Sequence, residues 1–342
     1  MSLSVSAEKI AELKEWLHSV SREQRWCILV NADPDAMGAA EALKRIVADR
    51  ARMDICHINE ITRPDNLAMI RTLHIRMTRW KAALKSKYTH FALVDSQPHH
   101  NESYKDIPFS VIIDHHPLPQ VPYSIQQPGF LDIQPEKCAA CTILTEYLRA
   151  LHLRPSHSLA SAMLLGIRCD TNLFERSGGK DDLDAYQWLS NRADPVLIRK
   201  VVRSEYLREW LPYFASACSK LRHCRRTGAQ VFLGDVETAD MLVAIADFFT
   251  RVHGLRWIAV SGIVRSEKAV VIFRGNGTRD VGRLADACFH DVGSGGGHKA
   301  MARAEFPVAN VPCGTDCGHF IEHRLETRKL RQDRRSRQDK KA

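Results

Sequence analysis

No apolar run in the chain approaches the roughly 20 residues that a membrane-spanning helix requires. The first 20 residues lack the basic start and apolar centre of a secretory leader. These two absences argue against a membrane partner and make a cytoplasmic location the expectation. The sequence also lacks internal repeats, and no Gly/Ser-rich linker marks the domain boundary expected between about 195 and 228. No zinc finger, base-reading helix motif or aromatic-rich sheet signals a dedicated nucleic-acid module. Ten cysteines without a leader read as reduced thiols rather than a disulfide framework. Cys138 and Cys141, and Cys313 and Cys317, have metal-like spacing, but "CAACTILTEYLRAL" reads as a core helix that packs its small face on a sheet.

What is present fits an ordinary globular chain of 342 residues, long enough for two domains with separate cores. Net charge is +9, but residues 328–342 hold eight Lys or Arg against two Asp, leaving only +3 on residues 1–327. The tail from 326 to 342 is therefore expected to lack structure, serving as a solvated end or as a weak contact to nucleic acid.

Residues 1–24 read as an amphipathic helix with Ala7, Ile10, Leu13 and Leu17 on one side. From Trp26 the pattern alternates. Strand signals at 26–30, 53–58, 90–95 and 109–114 are separated by helical stretches at 38–50 and 66–74. That alternation predicts an α/β fold with a mostly parallel, doubly wound sheet over 25–195. Connecting helices are expected over 196–227, the apolar pattern of 195–213 reading as one helix. A smaller α/β domain over 228–325 follows, with a hairpin turning near Ser266–Lys268.

Acidic residues recur where the predicted strands end. "CILVNADPD" ends in Asp33 and Asp35, "FALVDSQ" contains Asp95, and "VIIDHH" ends in Asp114, His115 and His116. Asp170 follows the apolar stretch "AMLLGIRCDTN". Ligands of open parallel sheets bind beyond the carboxyl ends of the strands. Four segments bringing carboxylates to one edge would repel one another without a cation. Any single Asp, taken alone, reads better as a turn or cap residue, and Asp33 is well placed to cap the helix that follows it. Carboxylates with imidazoles and no cysteine suit manganese or magnesium.

At these residues the sequence resembles the DHH phosphoesterases. "DPDAMGAA", "VDSQ", "DHH" and "GIRCDTN" are similar to the family's four motifs in order, and "GSGGGHKA" to the glycine-rich motif of its C-terminal domain. The resemblance implies a metal-dependent phosphoesterase of the compact two-domain branch. It implies action on short oligonucleotides or nucleotide phosphomonoesters. It places metal ligands at Asp33, Asp35, Asp95, His115 and Asp170, with manganese as cofactor and magnesium as the alternative. His116 would face the phosphate, Asp114 would orient the histidines, and Thr171 and Asn172 would hold the loop around Asp170. Gly295, Gly296, Gly297, His298 and Arg274 would contact the nucleotide. A homodimer is left open.

One departure stands out. The family's first motif begins with a histidine four residues before its first aspartate, and here that position is Leu29. A phosphoesterase-derived nucleotide-binding or regulatory protein without turnover is therefore the alternative reading. The pair His99–His100, after the second motif, reads as a surface loop.

Overall fold

A computed structural model describes residues 5–118, 128–174, 179–224 and 227–338, with side chains described up to Thr327. The chain divides into two units, Met1–Glu205 and Tyr206–Ala342.

The first unit is built on six parallel strands: β1 (Arg25–Val30), β2 (Arg52–His57), β3 (Met77–Arg79), β4 (His90–Val94), β5 (Phe109–Asp114) and β6 (Phe130–Ile133). Their order is β3-β2-β1-β4-β5-β6, so the winding reverses between β1 and β4. The carboxyl ends of β1, β4 and β5 are thus neighbours, at the kind of switch point where open α/β sheets bind ligands. The sequence signals miss β3 and β6, which at three and four residues are too short to show a period.

The helices described in this unit are α1 (Ala7–Ser19), α2 (Pro34–Val47), α3 (Pro64–Leu73), α4 (Ala140–Ala150), α5 (His157–Asp170), α6 (Lys180–Ser190) and α7 (Pro195–Val202). The sequence suggests α1 as a separate N-terminal element. Instead Leu13, Trp16 and Leu17 are buried in the first unit's main core, which shares Trp26 and Phe130. The helix expected over 195–213 is broken. α7 ends at Val202, with Val201 in the first core, and Trp210 lies in a core of the second unit.

The second unit contains α8 (Leu211–Lys220), β7 (Arg222–Cys224), β8 (Gly228–Val236), α9 (Ala239–Phe249), β9 (Trp257–Val264), β10 (Lys268–Gly275), α10 (Val281–Phe289), β11 (Ser294–Gly297), β12 (Met301–Pro307) and α11 (Cys317–Gln338). Its mixed sheet has the order β11-β12-β10-β9-β8-β7. β9 and β10 form the expected hairpin, with Arg265 and Ser266 in the left-handed region at the turn. The tail expected to lack structure from 326 is helical as far as Gln338, and its last four residues lie outside the described ones. Arg, Lys, Leu, Glu and Gln are good helix formers, and no Gly or Pro interrupts them after Gly318. Among the described residues no helix is long and apolar enough to cross a membrane.

Candidate metal centre

Asp35 sits in the first turn of α2, fully buried. Its Oδ2 accepts the Ala140 N–H at 2.5 Å and its Oδ1 the Cys141 N–H at 2.9 Å. α4 has no side-chain cap of its own at Ala139, so Asp35 satisfies the orphan donors of that helix from another element. Asp33 caps α2 itself, its Oδ1 accepting the Ala36 N–H at 2.9 Å.

Asp95 follows β4 in the left-handed backbone region (φ 58°), which is uncommon for a residue other than glycine. Its side chain is 4% exposed. His115 follows β5. The Lys137 carbonyl accepts from His115 Nδ1 at 3.3 Å, which directs Nε2 to within 3.1 Å of Asp95 Oδ1 and 3.3 Å of Asp170 Oδ2. Lys137 is buried and ion-paired with Glu146.

Asp170 is the last residue of α5. Close approach of α5 to α2 brings it here. A Cβ on Gly166 would lie 2.7 Å from Cys141 Sγ and 2.9 Å from Asp35 Cα, and one on Gly38 would lie 2.8 Å from Cys141 Sγ. Cys141 is therefore a small buried filler between α2 and α5 rather than a packing surface against the sheet. Buried Thr171 donates to the Ile167 carbonyl and accepts the Phe174 N–H, holding the left-handed turn Asn172–Phe174 that follows.

Asp35, Asp95, His115 and Asp170, from four separate segments, each offer a ligand atom within 4.8 Å of the others. Asp33 lies outside that group. Burial and the nearby Asp170 charge push Asp35 up to about 6 and Asp33 up to about 7. Burial, with Asp33 and Asp35, raises Asp95 well above the carboxylate range. Burial alone would lower His115, but contact with Asp170 and Asp95 pushes it up to about 12. A protonated His115 imidazole thus relieves the carboxylates here. Asp95 Oδ1 and His115 Nε2 are buried without an aligned hydrogen-bond partner among the described residues. Two unsatisfied buried ligand atoms, and a histidine whose other nitrogen is fixed on a carbonyl, fit a divalent cation.

The first-motif side of the centre does not fit a second ion equally well. Leu29 is fully buried in an apolar cluster with Cys27, Phe91, Leu93, Tyr104 and Ile112, and supplies no ligand.

Asp114 and His116 lie beside these four candidate ligands. His116 Nδ1 donates to Asp114 Oδ1 at 2.8 Å, and Gln97 Nε2 donates to Asp114 Oδ2 at 2.7 Å. Burial opposes the Asp114 charge, but the His116 and Gln97 donors hold it below its ordinary range. Sequence reasoning misses Gln97 and passes over His100. His100 is exposed, as expected of a loop, but its ring centroid lies 5.2 Å from that of His116.

The remaining expected residues belong to the second unit. Gly295, Gly296 and Gly297 form edge strand β11, paired antiparallel with β12, rather than a free loop. Gly297 has φ 141°, and a Cβ there would lie 2.5 Å from the Met301 carbonyl oxygen, so no other residue fits. Gly296 faces open space. His298 is exposed after β11, its N–H on the Met301 carbonyl at 2.7 Å. Arg274, near the end of β10, is held by Asp247 at 2.6 Å.

Residues 26–167 match the family model described as DHH family, N-terminal domain. An uncharacterized protein of Methanocaldococcus jannaschii is 29% identical over 281 residues, 82% of this chain and 57% of the relative. The chain thus spans little more than half the length of the curated relative it matches. An exopolyphosphatase-related protein from Bacteroides fragilis superposes with a TM-score of 0.75 at 15% identity, covering 96% of this chain and 99% of its own. RecJ from Thermus thermophilus, solved with Mn2+, gives a TM-score of 0.52 at 15% identity, covering 96% of this chain and 56% of its own. With the switch point between β1 and β4 and the motif residues gathered there, residues 26–167 are similar to the N-terminal domain of the DHH family.

Proposed function

We propose that the protein is a divalent-metal-dependent phosphoesterase acting on short oligonucleotides or nucleotide phosphomonoesters. The observation that carries this reading is the convergence of Asp35, Asp95, His115 and Asp170 within 4.8 Å, with His115 already turned by the Lys137 carbonyl. Manganese is the proposed occupant, since RecJ of similar fold was solved with that ion, and magnesium is the alternative. A divalent ion there supplies Lewis acidity for a phosphoryl oxygen and lowers the pKa of a bound water.

The chain's own residues do the rest. Asp114 accepts from His116 Nδ1–H, so the imidazolium form of His116 presents Nε2–H and gives that proton to the leaving oxygen, ending neutral with Nδ1–H still on Asp114. Gln97 fixes Asp114 and accounts for its second oxygen. Buried Asp95 and Asp35 keep the ligand set rigid. In the second unit, Arg274, the glycines of β11 and His298 are the proposed nucleotide contacts. With Leu29 in the apolar cluster, one ion per chain is the proposed stoichiometry. Leu29 is also the observation that keeps a binding protein without turnover as the second reading.

The test is hydrolysis of a dinucleotide and of adenosine 3′,5′-bisphosphate with and without manganese, comparing wild type with Asp95→Ala. Metal-dependent turnover abolished in Asp95→Ala is the expected result. Stoichiometric manganese with no turnover of either ester would favour the binding reading. Absence of bound manganese would overturn that ion, and absence of both manganese and magnesium would overturn the chemistry.

A further inference from the structure

The connection after β4 carries a histidine that the chemistry above does not use. Gln97 acts in two directions there. Its side chain donates to Asp114 Oδ2 at 2.7 Å and to the His116 carbonyl at 2.9 Å. Its backbone N–H donates to His100 Nδ1 at 3.1 Å, and Ser96 Oγ lies 3.2 Å from the same nitrogen. A backbone N–H only donates, so Nδ1 is the acceptor and the neutral ring carries its proton on Nε2. Burial and the neighbouring His99 shift His100 below its ordinary range, in keeping with a neutral ring at pH 7.

His100 is also positioned by its neighbours. Its ring stands at 77° to His116 with centroids 5.2 Å apart, and at 67° to His99 with centroids 4.3 Å apart. Asp114, His116 and His100 each bring an atom within 4.8 Å of the others. A metal does not suit this second cluster. Asp114 already accepts from His116 and Gln97, and both imidazoles have Nδ1 committed. What remains on the two rings is a pair of Nε2 atoms, one set by Asp114 and one by Gln97. On rings whose centroids are 5.2 Å apart, two such nitrogens suit one tetrahedral anion, with His116 on the leaving oxygen and His100 on a neighbouring one.

We propose that His100 contacts the substrate, its Nε2–H donating a hydrogen bond to a non-bridging oxygen of the phosphate served by His116. The proposal rests on the phosphoesterase reading. It makes the sequence Gln97-Pro98-His99-His100 a recognition element for phosphate oxygens, and Gln97 a positioning residue for both histidines.

The experiment compares wild type, His100→Ala and His100→Gln in manganese-dependent dinucleotide hydrolysis, with bound manganese measured on each protein. Loss of one donor to a developing charge predicts a fall in kcat/KM of roughly 10- to 100-fold in His100→Ala. The Gln amide N–H takes the place of Nε2–H and should recover the rate to within a few-fold, while manganese content stays at the wild-type value in both. A His100→Ala rate within twofold of wild type overturns the proposal. So does loss of manganese from His100→Ala, which would make His100 a metal ligand. If wild type hydrolyses no ester, the phosphoesterase reading fails separately. Binding of adenosine 5′-monophosphate then decides His100: tenfold weaker binding in His100→Ala supports the contact, and unchanged binding overturns it.

Discussion

Asp35 Oδ2 accepts the N–H of Ala140 at 2.5 Å, so a residue of the metal-ligand group is also the cap of a helix 105 positions away. Removing it has two consequences. Asp35→Ala should cost about 1–3 kcal/mol of stability through the orphaned N–H groups of α4, and should abolish manganese binding. Asp170→Ala should abolish manganese binding while changing the stability of the chelated protein by under about 1 kcal/mol, because its side chain is 23% exposed and sits at the end of its helix. Chemical denaturation with chelator and metal titration separate the two. Equal stability loss in both variants would remove the capping role.

Gly166 marks where α5 passes closest to Asp35. A methyl group there would meet Cys141 Sγ at 2.7 Å and Asp35 Oδ1 at 2.8 Å. Gly166→Ala should therefore cost about 1–3 kcal/mol by overpacking and displace Asp35. Manganese affinity should fall by at least about tenfold. Calorimetric titration of the variant checks this, and wild-type affinity would show that the helices separate without disturbing the ligands.

Leu29→His restores the family's residue type but not its surroundings. The position is fully buried among Cys27, Phe91, Leu93 and Tyr104. An imidazole there loses solvation and should destabilise the first unit by about 2 kcal/mol. The manganese content should stay at one ion per chain, read by elemental analysis. Two ions per chain would mean that the cluster opens to build the missing site.

Proton occupancy sets a pH dependence with a definite sign. In the metal-free protein His115 lies near 12 and Asp35 and Asp33 near 6 and 7, all above their unfolded values. Groups raised in this way contribute stability that is complete below the unfolded value and lost as pH rises through the folded one. With chelator present, the melting temperature should accordingly fall from about pH 7 to pH 9 as His115 loses its advantage over an unfolded histidine near 6.5. Manganese requires His115 Nε2 and the carboxylates unprotonated, so its affinity should rise over pH 5–8 with proton release. A pH-independent manganese affinity would remove His115 and Asp35 from the ligand set.

The sequence points to the cluster because its candidate ligands sit at strand ends, where a polar residue interrupts an apolar run. Asp95 and His115 are legible for that reason. The parallel sheet is legible from alternating strand and helix patterns, but β3 and β6 are not, since three or four residues carry no periodicity. A single helix over 195–213 is the wrong reading because its apolar residues serve two cores. Val201 belongs to the first unit's core and Trp210 to the second unit's, and a hydrophobic period does not record which partner it faces. The tail reads as structureless from its charge, although its residue types favour a helix. Gln97 and His100 escape notice because their significance is a backbone N–H and a ring orientation, which leave no mark on composition.

Residues 137–141 hold two of the candidate ligands mainly through peptide groups, with Cys141 Sγ adding a contact to the Asp35 carbonyl at 3.4 Å. The Lys137 carbonyl turns His115, and the N–H groups of Ala140 and Cys141 hold both oxygens of Asp35. Peptide groups have no sequence identity, so this clamp can persist while the side chains along it change. Two proteins could share this geometry with few common letters over residues 137–140, and a search for motifs would pass over the segment that aims the two side chains.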